Sequence, residues 1–96
     1  MALIATLPLI AQQTGVRGVV VDAKSGLPVV GATVMLDNQG NAATTDATGK
    51  FLIDDARQGS DELLILSYGY KDWVQAVTII GNVVDCCSEV CVEQSV

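Results

Sequence analysis

Thr44-Thr45-Asp46-Ala47-Thr48-Gly49-Lys50-Phe51 packs a carboxylate, threonine hydroxyls, a glycine and a lysine into eight positions. Three chemistries are open to such a stretch: holding a cation, cradling a phosphate or turning the chain. A calcium loop needs oxygen ligands at alternate positions and a closing bidentate Glu. After Asp46 come Ala47, Thr48, Gly49 and Lys50, with no second carboxylate and a positive charge where the ion would sit. A phosphate loop needs further glycines ahead of its Gly-Lys and a helix behind it, whereas Phe51-Leu52-Ile53 is an apolar strand pattern. The spacing fits a hairpin. Asp46 accepts a backbone N–H two residues on, Gly49 takes a left-handed conformation, and Phe51 and Ile53 point into a core.

Other reactive side chains are weighed the same way. Cys86, Cys87 and Cys91 give three thiols, but a structural zinc site wants four Cys or His ligands, usually in Cys-x-x-Cys pairs. They read as small strand residues, with Cys86 and Cys87 on opposite faces; a Cys91 disulfide with a neighbour is the alternative. Asp54-Asp55 and Asp61-Glu62 flank Arg57 to Gly59 and read as a solvated loop between strands, a calcium site being the alternative. The chain has no His to activate Ser25, Ser60 or Ser67, and no nucleophile elbow surrounds them. Neither a catalytic constellation nor a cofactor or metal site emerges. Tyr68-Gly69-Tyr70 with Trp73 is the aromatic cluster, either part of the core or a contact surface for a ligand or partner.

The elements that must position these residues follow from composition and punctuation. A chain of 96 residues suffices for one domain, burying roughly two-thirds of its unfolded surface. Its apolar half is mostly Val, Ile, Leu and Ala, and β-branched side chains favour a pleated sheet. Short apolar runs between turn clusters predict strands at Val16–Asp22, Ala32–Leu36, Ala42–Thr45, Lys50–Ile53, Leu63–Ser67, Asp72–Ile80 and Val83–Val92. Leu63-Leu64-Ile65-Leu66 reads as a central strand, and Pro28 belongs at a strand margin.

Eleven acidic against five scattered basic residues give a net charge of −6, which repels phosphate backbones and excludes nucleic acid as a partner. Residues 1–13 open with eleven uncharged, mostly apolar positions before turning polar at Gln12. That run is shorter than the roughly twenty residues that span a bilayer. It suits the remnant of a signal peptide, leaving 14–96 as the domain; an N-terminal strand or tail is the alternative.

Four segments in order carry a resemblance: Val19-Val20-Val21-Asp22; Ser25-Gly26-Leu27-Pro28-Val29-Val30-Gly31-Ala32-Thr33-Val34; Thr45-Asp46-Ala47-Thr48-Gly49-Lys50-Phe51; and Leu66-Ser67-Tyr68-Gly69-Tyr70. Together they resemble the carboxypeptidase regulatory-like domain from about Gly15 to Ile80. The resemblance implies an all-β, seven-stranded sandwich of transthyretin or prealbumin type, immunoglobulin-like in architecture, with Gly31 and Gly49 in tight backbone and Phe51 and Tyr70 in the core. It brings no catalytic residues and no cofactor. It implies a non-enzymatic periplasmic accessory domain, associated with the outer membrane as the N-terminal extension of a TonB-dependent receptor for nutrient or glycan uptake. The partner would be the remainder of that receptor or a periplasmic protein. A carbohydrate-binding module using Tyr68, Tyr70 and Trp73, and the regulatory domain of an exported zinc carboxypeptidase, are the alternatives.

Overall fold

The computed structural model describes residues 14–81 and 83–95, the stretch 83–89 by its backbone alone. The predicted leader, 1–13, and the side chains of Cys86 and Cys87 lie outside the described residues. Seven strands follow in order: β1 (Gly15–Asp22), β2 (Thr33–Leu36), β3 (Ala42–Thr44), β4 (Lys50–Ile53), β5 (Gly59–Leu66), β6 (Trp73–Ile79) and β7 (Val83–Val92). They form two sheets, β4-β1-β7 and β3-β2-β5-β6. β1 and β7 run parallel, so the first and last strands lie side by side; every other pairing is antiparallel. The β1–β7 register slips twice, between Arg17 and Gly18 and again before Val20. The expected all-β sandwich is therefore the fold.

Strand periodicity builds the core. Val34 and Leu36 of β2, Leu63 and Ile65 of β5, and Val77 and Ile79 of β6 alternate inward from one sheet. Val16 and Val20 of β1, Phe51 and Ile53 of β4, and Val90 and Val92 of β7 belong to the same buried cluster. β5 is central as expected, with Leu63 and Ile65 buried and Leu64 and Leu66 half-buried. Beyond the start of β4, where Lys50 pairs with Val19, the chain at 27–29 takes its place beside β1: Val29 N–H bonds Val20 O at 2.9 Å and Asp22 N–H bonds Leu27 O at 2.8 Å. Pro28 sits at this margin, bridged to Val21.

One boundary differs by more than a residue. β5 starts at Gly59 rather than Leu63, because Gly59, Ser60, Asp61 and Glu62 pair with Ile79, Thr78, Val77 and Ala76 of β6. Main-chain pairing overrides the weak strand propensity of these four residues. Asp61 thereby faces inward and is buried, which corrects the reading of Asp61-Glu62 as solvated loop; Glu62 remains exposed.

Gly49 has φ of 79°, and a Cβ there would lie 2.5 Å from the carbonyl oxygen of Val20 and 3.1 Å from the Pro28 ring. Both the left-handed backbone and the close approach require glycine. It is the joint at which the turn between β3 and β4 meets β1; β3 and β4 belong to different sheets, so this turn carries the chain across the sandwich and the expected hairpin is not formed.

Ile65 is 1 % exposed at the centre of the core, whereas Leu52 is 47 % exposed on β4. Ile65→Ala should therefore lower the unfolding free energy by about 2–5 kcal/mol, and Leu52→Thr by no more than about 0.5 kcal/mol. Urea denaturation midpoints of the two variants check this.

Candidate functional site

The loops at the end of β1 converge on Asp22. Its Oδ1 accepts the N–H groups of Lys24 at 2.8 Å and Ser25 at 2.9 Å, closing an Asx turn. Its Oδ2 accepts the Tyr70 hydroxyl at 2.8 Å and the Gln94 side-chain amide at 2.9 Å. One carboxylate thus joins the β1–β2 loop, the β5–β6 connection and the C-terminal tail. The last two are also zipped by main chain: Lys71 N–H to Glu93 O at 2.8 Å and Ser95 N–H to Gly69 O at 2.9 Å. The Lys71–Glu93 ion pair spans 3.4 Å between exposed side chains, a kind of contact that contributes little.

Four donors occupy essentially all the acceptor positions of a carboxylate. Asp22 is 5 % exposed, and the Ser25 N–H, then the Tyr70 hydroxyl, the Gln94 amide and the Lys24 N–H, hold its pKa well below the usual carboxylate range. The bond to Asp22, with burial and the Asp22 charge behind it, pushes the Tyr70 phenol up. The adjoining cleft of about 210 Å³ is lined by Asp22, Ala23, Lys24, Glu93 and Gln94. With its carboxylate saturated from within the protein, Asp22 there is a structural tie rather than a ligand-binding group.

Tyr68, Tyr70 and Trp73 have different settings. Ser67 to Tyr70 form a turn closed by Tyr70 N–H to Ser67 O at 3.1 Å, with Gly69 at φ 86°. Tyr68 stands at the tip of that turn, fully exposed. Tyr70 is half-buried against the core, as is Trp73, whose indole N–H reaches Gln75 Oε1 at 3.2 Å. The three residues are close in sequence, but Tyr70 and Trp73 have their polar tips engaged by the protein.

Asp46 makes the expected turn, though between strands of different sheets and not within a hairpin. Its Oδ1 accepts Thr48 N–H at 2.9 Å, the Thr48 hydroxyl at 2.7 Å and Lys50 N–H at 3.0 Å. The Thr48 hydroxyl, followed by the Thr48 and Lys50 N–H groups, lowers its pKa. Thr45 beside it is buried, its hydroxyl donating to Val29 O at 2.6 Å and accepting Ala32 N–H at 2.8 Å. The threonine thus pins the bend before β2, a role not visible in its spacing.

At the opposite end of β5, Asp61 Oδ1 accepts Asn38 N–H at 3.0 Å and Glu62 N–H at 2.7 Å, while its Oδ2 is buried without a protein partner. Burial raises the Asp61 pKa, but the Asn38 and Glu62 N–H groups, helped by the Gln39 and Asn38 side chains, outweigh it and the net direction is downward. The β2–β3 turn is clipped here to the β4–β5 loop by Gln39, paired with Arg57 N–H at 2.7 Å and Arg57 O at 3.1 Å. Asn41 donates to Asp54 O and Asp55 O. Among the described residues no cluster of three His, Cys, Asp or Glu side chains is arranged to hold a metal ion. Cys91 is an exposed free thiol.

Asp22, Asp46 and Asp61 all have lowered folded-state pKa values, so each stabilises the fold when ionised. That stability is present above the ordinary carboxylate pKa near ~4 and is lost as pH falls toward the folded values. The urea midpoint should decline steadily from about pH 4 to about pH 2, and a midpoint that rose on acidification would contradict the assignment. Tyr70 has the opposite sign: its contribution holds below pH ~10 and disappears as the raised phenol ionises.

Asp22→Asn should lower the melting temperature on the order of 5 °C or more. It should also return the Tyr70 phenol titration, read by ultraviolet absorbance, toward an ordinary tyrosine value.

No curated protein matches the chain. A solved chain from the crystal structure of a type II Cohesin–X–Dockerin complex of Acetivibrio cellulolyticus, Coh3ScaB with the C-terminal interface mutant XDoc_M2ScaA, superimposes with a TM-score of 0.55 at 21 % identity. The match covers 83 % of this chain and 51 % of that one, so this chain spans about half of that neighbour's length. The likeness concerns the sandwich alone. The profile of the CarboxypepD_reg-like domain matches residues 16–88, a range that takes in all four signature segments and the Asp22, Thr45, Asp46 and Gly49 joints just described. The chain belongs to the CarboxypepD_reg-like domain family.

Proposed function

We propose that this domain is a non-catalytic periplasmic contact module, the N-terminal extension of a TonB-dependent outer-membrane receptor for nutrient or glycan uptake. The observation that carries a contact role is Tyr68: a fully exposed aromatic ring at the tip of a turn tied down through Tyr70, Asp22 and Gln94. Leu27, 65 % exposed, lies on the loop that Asp22 closes. Aromatic side chains on rigid supports supply contact area at small entropic cost, and such residues dominate binding energies. Family membership agrees with an accessory role, since the family is regulatory-like. The fold neighbour was crystallised within a protein–protein complex, which is consistent with contact as the mode of action. A sugar-stacking platform is less well supported: of Tyr68, Tyr70 and Trp73 only Tyr68 is fully exposed.

The test has two parts. Reading the gene beyond Val96 should reveal a plug and a long series of amphipathic strands, and a zinc-peptidase motif there would refute the receptor setting. In the whole receptor, Tyr68→Ala should reduce nutrient uptake by about tenfold, a loss of the size expected for an interface anchor. Receptor abundance and domain melting temperature should stay unchanged. Uptake equal to wild type would refute Tyr68 as the contact.

A further inference from the structure

β7 ends at Val92, which is buried in the core beside Val90. Glu93, Gln94 and Ser95 beyond it are exposed, and hydrogen bonds with one ion pair tie them to the domain. Those ties fall on the turn that carries Tyr68. Glu93 O accepts Lys71 N–H at 2.8 Å, Ser95 N–H donates to Gly69 O at 2.9 Å, and Gln94 bridges Tyr70 in antiparallel sense. The Gln94 amide also shares Asp22 Oδ2 with the Tyr70 hydroxyl. The tail is thus a short strap laid along residues 69–71, at the foot of the turn whose tip is Tyr68.

Gly69 explains what such a strap does. Tyr70 is anchored, half-buried against the core and bonded to Asp22, whereas Tyr68 is fully exposed and has no such anchor of its own. The residue between them, Gly69, is at φ 86°, and glycine has the widest conformational freedom of any residue. The turn's own closure, Tyr70 N–H to Ser67 O, is 3.1 Å, toward the long end for such a bond. The Gly69 carbonyl belongs to the peptide whose orientation sets Gly69 ψ. By bonding that oxygen, the Ser95 N–H restrains the one residue that joins Tyr68 to the anchored Tyr70.

We propose that the strap 93–95 regulates the Tyr68 contact. Seated, it holds the turn in its contact geometry; lifted, it frees Gly69 and weakens binding at Tyr68. This rests on the reading of Tyr68 as a contact residue. Proteins open locally without unfolding, and the strap can lift while Val90 and Val92 keep β7 in the core. Coupling between two sites is reciprocal, so a partner bound at Tyr68 holds the strap down by the factor that the seated strap gains for the partner. The path of the chain beyond Val92 and the occupancy of Tyr68 therefore report on one another. Gln94 and Ser95 are positioning residues in this scheme, acting through Gly69 and Tyr70.

The Ser95 N–H makes the bond to Gly69 and its hydroxyl does not, so proline and alanine at this position separate the strap from the side chain. Ser95→Pro in the 96-residue chain should speed exchange of the Lys71 amide by about tenfold or more while the β1 amides keep their protection. Ser95→Ala should exchange as wild type. In the whole receptor, Ser95→Pro should lower nutrient uptake about fivefold, the low end of coupling between sites. Added to Tyr68→Ala it should lower uptake no further, since residues acting through one contact are not additive. Wild-type exchange at Lys71 in Ser95→Pro would overturn the strap. Losses of uptake that multiply in the double variant would place its effect outside Tyr68 and overturn the coupling. Should Tyr68→Ala leave uptake unchanged, the contact reading fails, and the exchange result alone supports or overturns the strap.

Discussion

A carboxylate withdrawn from water must be neutralised, paired or fully hydrogen-bonded, and Asp22 takes the third course. Two backbone N–H groups, one phenol and one amide surround it, so the group stays ionised while 5 % exposed. The loop arrangement at that end of the sandwich follows from this requirement. Removing any donor leaves part of a buried charge unsatisfied, which costs more than the bond itself contributes. The β1–β2 loop, the Tyr68 turn and the tail at 93–95 therefore hold position together, although no strand pairing joins all three. Thr45 does comparable work on the other side of β1 with a neutral hydroxyl, bonding Val29 and Ala32. Gly49 lies between them, and its missing side chain lets the β3–β4 turn close on Val20 and Pro28.

Much of this architecture was legible in the residues, and for identifiable reasons. Apolar alternation at Phe51 and Ile53, the continuous run Leu63 to Leu66 and the turn clusters between them reflect burial and backbone geometry, both local to the segments concerned. Asp46 was legible because its partners, Thr48 and Lys50, lie within four residues. Asp61 was not. Its partner Asn38 is twenty-three positions away, and its membership of β5 is set by Val77 across the sheet. Asp22 was half legible: Lys24 and Ser25 are adjacent in sequence, but Tyr70 and Gln94 arrive from forty-eight and seventy-two positions away. Signals that need a tertiary partner cannot be read from spacing. The aromatic cluster shows the same limit, since Tyr68, Tyr70 and Trp73 look equivalent in sequence and only their packing distinguishes them.

The distribution of polarity fits the proposed contact role. Short polar side chains, namely Asp22, Asp46, Thr45, Asp61 and Gln39, spend their hydrogen-bonding capacity on the protein's own loops. Among the apolar groups that face outward are the tethered Tyr68 and Leu27 at one end and Val74 on the sheet face. A scaffold of this kind hosts many roles, and here the surfaces available for them are made by backbone geometry and exposed apolar groups.

The rigidity of the Asp22 end is the central physical claim, and residue-resolved amide hydrogen exchange measures it most directly. The account predicts that the N–H groups of Lys24, Ser25, Tyr70, Lys71 and Ser95 exchange slowly and as one cooperative unit, with protection approaching that of β1. Exchange of these amides at unstructured-chain rates while β1 remains protected would contradict it, because the loops would then be independent of the carboxylate held to join them.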